Sequence, residues 1–352
     1  MIRALVVDDS AVLRRLITTV LSSDPGIEVV GTATNGREAI ARVDELRPDI
    51  VTLDIEMPEL DGLGAVEIIH RNHPRLPVIM FSTLTEKGAA ATLQALSRGA
   101  SDYVTKPSGA GSVHESMARV REELVPRIKA LTGTRRMVPQ APPPVRRRLA
   151  GELARPQVLV IACSTGGPDA LCTVLSNLPA TFPLPVLVTQ HMPPVFSTQL
   201  AHRLDRLSPL AVREAADGDA VLPGTVLLAP GDYHLRLARD GVAVRARLDQ
   251  GEKENFCRPA ADPLFRSAAQ VYGRSALAVV LTGMGQDGLL GSRAVSEAGG
   301  YVITQDQESS VVWGMPGAVA GAGIADEILP LDTVASRLIS VATRQARVPL
   351  RT

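Results

Sequence analysis

Val158-Leu159-Val160-Ile161-Ala162-Cys163-Ser164-Thr165-Gly166-Gly167-Pro168 is an apolar run that stops on a serine and breaks into glycines. Six apolar residues in a row, bounded by a turn signal, describe a strand buried on both faces, as in parallel sheets. The Gly-Gly-Pro that follows marks a sharp turn into a helix. Ser164 therefore stands at the carboxyl end of a strand, where the next helix offers free amide N–H groups. A serine in that position suits a nucleophile, and it equally suits a plain helix cap.

Working outward, the strand–helix alternation continues on the C-terminal side. Strands are expected at Gln157–Cys163, Pro185–Gln190, Ala276–Thr282 and Tyr301–Thr304, with helices at Pro168–Ser176, Phe196–Leu207, Pro263–Tyr272, Leu289–Glu297 and Leu331–Thr343. Between them, Thr225–Ala229, Tyr233–Ala238 and Val242–Arg247 are short and separated by Gly/Asp turns, which reads as an antiparallel insertion. Two further strand ends carry chemistry. Gln190-His191-Met192 places an imidazole after one strand, and Thr282-Gly283-Met284-Gly285-Gln286-Asp287-Gly288 places a carboxylate in a glycine-rich turn after another. Serine, histidine and aspartate at three sheet-rim loops are the components of acyl transfer. His191 would take the Ser164 proton, Asp287 would fix the imidazole tautomer, and backbone amides would hold the oxyanion. His202, on a helix, and His234, on a short strand, are rival bases that read as surface or packing residues. Cys163 adjoins the serine but should face inward, as a core residue.

The N-terminal side shows the same alternation in a self-contained form. Strands at Ala4–Val7, Glu28–Ala33, Ile50–Leu53, Val78–Phe81 and Asp102–Val104 alternate with helices at Ala11–Ser22, Gly36–Leu46, Leu63–Asn72, Lys87–Arg98 and Ser112–Leu131. Five strand–helix repeats with short turns imply a doubly wound parallel sheet. Asp8 and Asp9 end its first strand, Asp54 its third, Ser82 its fourth, and Lys106 follows its fifth. Three carboxylates converging on one rim repel each other until a hard cation offsets them, and Mg²⁺ fits oxygen ligands best. A carboxylate beside Mg²⁺ and a lysine suits phosphoryl transfer. Taken singly, Asp9 could cap the helix that starts at Ala11.

Length and composition bound these readings. A chain of 352 residues is long enough for two cores, and 45% hydrophobic with 21% charged residues is a globular composition. The expected organisation is α/β throughout, two doubly wound parallel-sheet domains at 1–131 and 157–352. A Pro/Arg-rich linker over 132–156 joins them, and the second carries the hairpin insertion. Lys+Arg and Asp+Glu both total 37, so there is no basic surplus for a nucleic-acid partner; a DNA-binding output and a silent adaptor are the rival classes. No apolar run reaches membrane-spanning length, so neither membrane insertion nor a secretory leader is expected, and the compartment is expected to be cytoplasmic. Cys163, Cys172 and Cys257 are odd in number and lack metal-ligand spacing.

Val6-Val7-Asp8-Asp9-Ser10, Leu53-Asp54-Ile55-Glu56-Met57-Pro58 and Tyr103-Val104-Thr105-Lys106-Pro107 together resemble the response-regulator receiver domain over about Met1–Leu131. The resemblance implies that Asp54 accepts a phosphoryl group from a histidine kinase. It implies Mg²⁺ held by Asp8, Asp9, Asp54 and the Glu56 carbonyl, with Ser82 and Lys106 on the phosphoryl oxygens and Tyr103 as an aromatic switch residue. As a lone residue, Tyr103 also fits ordinary packing.

Over nearly the full length the chain is similar to the chemotaxis protein-glutamate methylesterase family. The carriers are Ser164-Thr165-Gly166-Gly167-Pro168, Gln190-His191-Met192, Leu228-Ala229-Pro230-Gly231, Arg258-Pro259, Asp262 and Thr282–Gly288. This resemblance implies a Ser164–His191–Asp287 triad, with the Met284 amide as oxyanion donor and no cofactor for the ester chemistry. It further implies hydrolysis of γ-glutamyl methyl esters on cytoplasmic helices of chemoreceptors and deamidation of receptor glutamines. Beside it stands the expectation that the unphosphorylated receiver packs across the Ser164 cleft and excludes a bulky receptor helix. The chain departs from the family pattern at Ala162-Cys163 and at Cys257.

Overall fold

The structure is a computed structural model that describes residues 1–107, 112–133 and 154–343. They fall into two compact units, one within residues 1–140 and one within 141–352. Residues 134–153, most of the expected linker with its arginines and prolines, lie outside the described residues.

In the first unit, strands β1 (Ile2–Val7), β2 (Ile27–Ala33), β3 (Ile50–Asp54), β4 (Val78–Ser82) and β5 (Asp102–Thr105) form one sheet in the order β2-β1-β3-β4-β5. Every pairing is parallel. Helices α1 (Ala11–Ser22), α2 (Gly36–Leu46), α3 (Gly62–Asn72) and α4 (Glu86–Ser97) make the crossovers, and α5 (Val113–Gly133) follows the last strand. Local chemistry starts four of them: Ser10, Asn35, Asp61 and Thr85 each accept a hydrogen bond from an amide in the first turn. Ser10 therefore caps α1, which frees Asp8 and Asp9 from that role. The strand order reverses between β1 and β3, and Val7 pairs with Leu53. Asp8 and Asp54 thus meet at the crevice where doubly wound folds place their chemistry.

The second unit is built on seven strands in the order β14-β13-β12-β6-β7-β9-β8, all parallel. They are β6 (Val158–Cys163), β7 (Val186–Gln190), β8 (Ala211–Glu214), β9 (Thr225–Leu228), β12 (Ala276–Val280), β13 (Tyr301–Gln305) and β14 (Glu327–Leu329). A hairpin of β10 (His234–Asp240) and β11 (Ala243–Asp249) stands apart from that sheet. The helices are α6 (Gly167–Ser176), α7 (Pro194–Leu207), α8 (Ala261–Tyr272), α9 (Leu289–Glu297), α10 (Met315–Gly321) and α11 (Leu331–Ala342).

Thr225–Ala229 was expected in the antiparallel insertion; its strand, Thr225–Leu228, instead runs parallel between β7 and β8 in the main sheet. Its Val226, Leu227 and Leu228 are buried, and Leu227 joins the core cluster with Leu264, Phe265 and Ala268 of α8, which a free hairpin could not do. All six β6 residues are fully buried, as a central strand covered on both faces requires. β6 lies between β12 and β7, so the order reverses beside it and a second crevice opens at its carboxyl end. Among the described residues no helix is long and apolar enough to cross a membrane.

Candidate active site

The turn after β6 needs two glycines for separate reasons. Gly166 sits at φ 77° as the residue before α6, a left-handed conformation that disfavours a side chain. Gly167 packs so closely that an added Cβ would lie 2.0 Å from Gln190 Oε1. α6 has no side-chain cap, so Ser164 does not serve in that role. Ser164 is held by its backbone: its N–H donates to the Thr282 carbonyl at 3.0 Å, and its carbonyl accepts from Gly167 N at 2.7 Å and Gln190 Nε2 at 3.0 Å.

His191 follows β7 at the level at which Ser164 follows β6, because Cys163 pairs with Gln190 and the His191 N–H reaches the Cys163 carbonyl. Its Nε2 lies 2.7 Å from Asp287 Oδ2. That leaves Nδ1 as the ring atom available to a serine proton, while the Cys257 side chain also lies against the ring. No hydrogen bond joins Ser164 to His191 in this arrangement, and catalytic hydrogen bonds often tighten only with substrate.

Asp287 is buried and strongly held. Oδ2 accepts from the Ala261 amide at 2.6 Å; Oδ1 accepts from the Gly288 amide at 2.9 Å and from the Asp262 amide and Asn255 Nδ2 at 3.1 Å each. Burial alone would raise its pKa, but His191 and the amides outweigh burial and hold it below the usual carboxylate range. Burial likewise opposes charge on His191, yet Cys257 and Asp287 beside it lift its pKa to about 10. Asp262, buried and close to the Asp287 charge, is pushed up to about 6.

Gly283 lies against the serine: an added Cβ there would come within 2.8 Å of Ser164 Cβ. Its carbonyl accepts from the Gly314 and Met315 amides, whereas the next amide, Met284, donates to no backbone acceptor among the described residues. The rival bases are elsewhere. His202 is exposed on α7, and His234 is fully buried with both ring nitrogens engaged, to the Glu252 carbonyl at 2.9 Å and the Ala260 amide at 3.2 Å. Cys163 faces inward, and burial pushes its thiol pKa far up.

Sequence reasoning missed Asn255, which bridges Asp287 Oδ1 and Asp262 Oδ2 at 3.1 Å each. Its only local signal was an Asn-Phe pair in a polar stretch, which marks a turn but not its target.

At the receiver rim, Asp8, Asp9 and Asp54 bring carboxylate oxygens within 4.8 Å of one another. Lys106 Nζ lies 2.7 Å from Asp54 Oδ1 and 3.4 Å from Asp8 Oδ2. Burial raises the Asp54 pKa to about 6, although Lys106 opposes the shift, and burial raises Asp8 too. The Glu56 carboxylate turns outward to Lys87 at 3.2 Å, so only its backbone carbonyl remains for the rim. The buried Ser82 hydroxyl donates to the Gly88 carbonyl at 3.1 Å, not toward Asp54. Tyr103 is half-buried next to Asp102, and burial pushes its phenol pKa up.

Fold and rim chemistry thus define a response-regulator receiver followed by an α/β unit with an acyl-transfer-like crevice. Comparisons agree. The response regulator receiver domain model matches residues 4–118, and the CheB methylesterase model matches residues 159–338. A protein-glutamate methylesterase/protein-glutamine glutaminase of Nocardioides sp. is 52% identical, covering 98% of this chain and 96% of its own. One from Trichodesmium erythraeum is 46% identical over 96% and 98%. The crystal structure of the Thermotoga maritima CheB methylesterase catalytic domain aligns with a TM-score of 0.52 and 46% identity, covering 53% of this chain and all of that one. The chain belongs to the CheB methylesterase family, with an N-terminal receiver domain.

Proposed function

We propose that the chain is a phosphorylation-activated protein-glutamate methylesterase, and a protein-glutamine glutaminase, acting on chemoreceptor helices in the cytoplasm. The observation that carries the reading is the 2.7 Å contact of His191 Nε2 with Asp287 at the strand end beside Ser164. The domain division that goes with it is receiver 1–131, linker 132–156 and catalytic domain 157–352.

In this reading His191 Nδ1 takes the proton from Ser164 Oγ as that oxygen bonds the ester carbonyl carbon. The Met284 amide, next in the chain to the Gly283 that packs on the serine and without a backbone acceptor among the described residues, donates to the oxyanion. Collapse breaks the carbon–methoxy bond, and the His191 proton leaves with methanol. Water repeats the sequence on the acyl-enzyme and returns the glutamate carboxylate. With a glutamine substrate the leaving group is ammonia. Asp287 fixes the tautomer that leaves Nδ1 free of hydrogen, and serine, histidine and aspartate supply the whole reaction without a cofactor.

The receiver residues fit Mg²⁺: Asp54 Oδ2 is buried without a hydrogen-bond partner, and Asp8 Oδ2 has only the Lys106 ammonium at 3.4 Å, so a hard cation would supply what both lack. Asp8, Asp9, Asp54 and the Glu56 carbonyl would hold it. When bound it offsets charge on the phosphoryl group that Asp54 receives from a histidine kinase. Lys106 then pairs with that group, the Ser82 hydroxyl rotates from Gly88 to bond it, and Tyr103 responds as the switch residue. Labelling with a fluorophosphonate followed by peptide mapping tests the catalytic half. Modification of Ser164 alone is expected; modification of another residue with Ser164 untouched would move the nucleophile.

A further inference from the structure

The turn Glu254–Cys257 closes on reciprocal backbone hydrogen bonds, 3.2 Å from Glu254 N to the Cys257 carbonyl and 2.9 Å in the other direction. Its two central residues both have positive φ, 51° at Asn255 and 64° at Phe256. This is the two-residue hairpin pattern in which Asn-Gly is favoured. Asparagine suits the first position, but a bulky side chain in the second is sterically unfavourable. Phe256 is moreover 97% exposed. A large ring held in water on a disfavoured backbone serves neither the turn nor the core, and strain of this kind gathers at functional positions.

Its neighbours show where the ring stands. Asn255 donates to Asp287 at 3.1 Å, and the Cys257 side chain lies against His191. Phe256 is thus flanked by two residues that touch the proposed triad. Two more exposed apolar side chains belong to the loops and helix starts of the same crevice. Leu290, 57% exposed, comes three residues after Asp287. Val311, 39% exposed, abuts Gly166, where an added Cβ would meet its Cγ2 at 2.6 Å.

We propose that Phe256 is a specificity-determining residue, its ring seating on the apolar side of the amphipathic helix that carries the ester. The inference rests on the esterase reading and deepens it. A glutamyl methyl ester offers few atoms of its own, so discrimination must come from contacts beyond the reacting group. An apolar ring carried between the residues that touch Asp287 and His191 supplies such a contact for the helix residues one turn away from the ester.

Phe256→Gly in the full-length protein provides the test, because Asn-Gly suits this turn and a thermal midpoint no lower than that of the unsubstituted chain confirms folding. The readout is the ratio of kcat/KM for a receptor fragment bearing γ-methyl glutamate to kcat/KM for p-nitrophenyl acetate. A fall in that ratio of about tenfold or more, through a higher KM for the receptor fragment, is expected, with Phe256→Leu recovering most of it. A ratio within twofold of the unsubstituted protein overturns the inference alone. So does conversion of a dimer to a monomer with the ratio unchanged, which would assign the ring to a second copy of the chain. Failure of the unsubstituted protein to release methanol overturns the esterase reading, and this inference with it.

Discussion

His191 sits between two groups that favour its charged form, and at neutral pH that charge works against its use as a base. With its pKa lifted to about 10, the neutral imidazole is the minor species at pH 7 and grows as pH rises. Esterase kcat/KM should therefore climb with pH across the alkaline range. Cys257→Ala removes one of the two groups holding the proton, so the rising limb should move to lower pH; an unmoved limb would show that Cys257 does not bear on the base. Ser164→Ala should reduce kcat by roughly six orders of magnitude, the scale seen when a triad nucleophile is removed. At the receiver, Asp54 carries a pKa of about 6, so protons compete with a cation there below that pH. Calorimetric Mg²⁺ affinity should be highest above pH 6 and fall as the pH drops through it; affinity that rises on acidification would contradict the assigned ligands.

At the scale of elements, the strand-end turns position the chemistry, and glycine makes them possible. Gly283→Ala would bring a methyl within 2.8 Å of Ser164 Cβ and 2.5 Å of Met315 Sδ. It should lower kcat at least a hundredfold while shifting the thermal midpoint by only a few degrees; full activity would mean that this turn does not shape the site. These turns were legible in the sequence because a buried run ending in Ser-Thr-Gly-Gly-Pro has few other structural solutions. Helices α1 and α2 were legible to the residue, since polar caps and apolar periodicity coincide there. Other elements were not. β8 has a single buried residue in four, β14 has three residues, and α10 is built from small residues with little amphipathic contrast. β9 was placed in the wrong sheet because strand pattern and turn residues do not reveal a partner. Asn255 escaped because its role depends on a tertiary approach to Asp287 and Asp262, 32 and 7 residues away.

The whole molecule joins two crevices of the same architectural kind, each at the point where a parallel sheet reverses its strand order. One carries carboxylates and a lysine, the other an imidazole–carboxylate pair beside a serine. A receiver that switches an output by phosphorylation must shift an equilibrium, and moving it from 1:99 to 99:1 requires about 5.5 kcal/mol of differential stabilisation. An aspartyl phosphate carries about two negative charges where the free carboxylate carries one, and it extends them into a partly buried rim, a local change of the right kind. Removing residues 1–131 should accordingly raise the unstimulated rate; an equal or lower rate would argue against inhibition by the receiver. The most direct measurement is methanol release from methylated receptor membranes by the full-length chain, with and without acetyl phosphate and Mg²⁺, beside Asp54→Asn and Ser164→Ala. Stimulated release that Asp54→Asn fails to show and Ser164→Ala abolishes is the expected result. Release that survives Ser164→Ala, or stimulation that persists in Asp54→Asn, would contradict it.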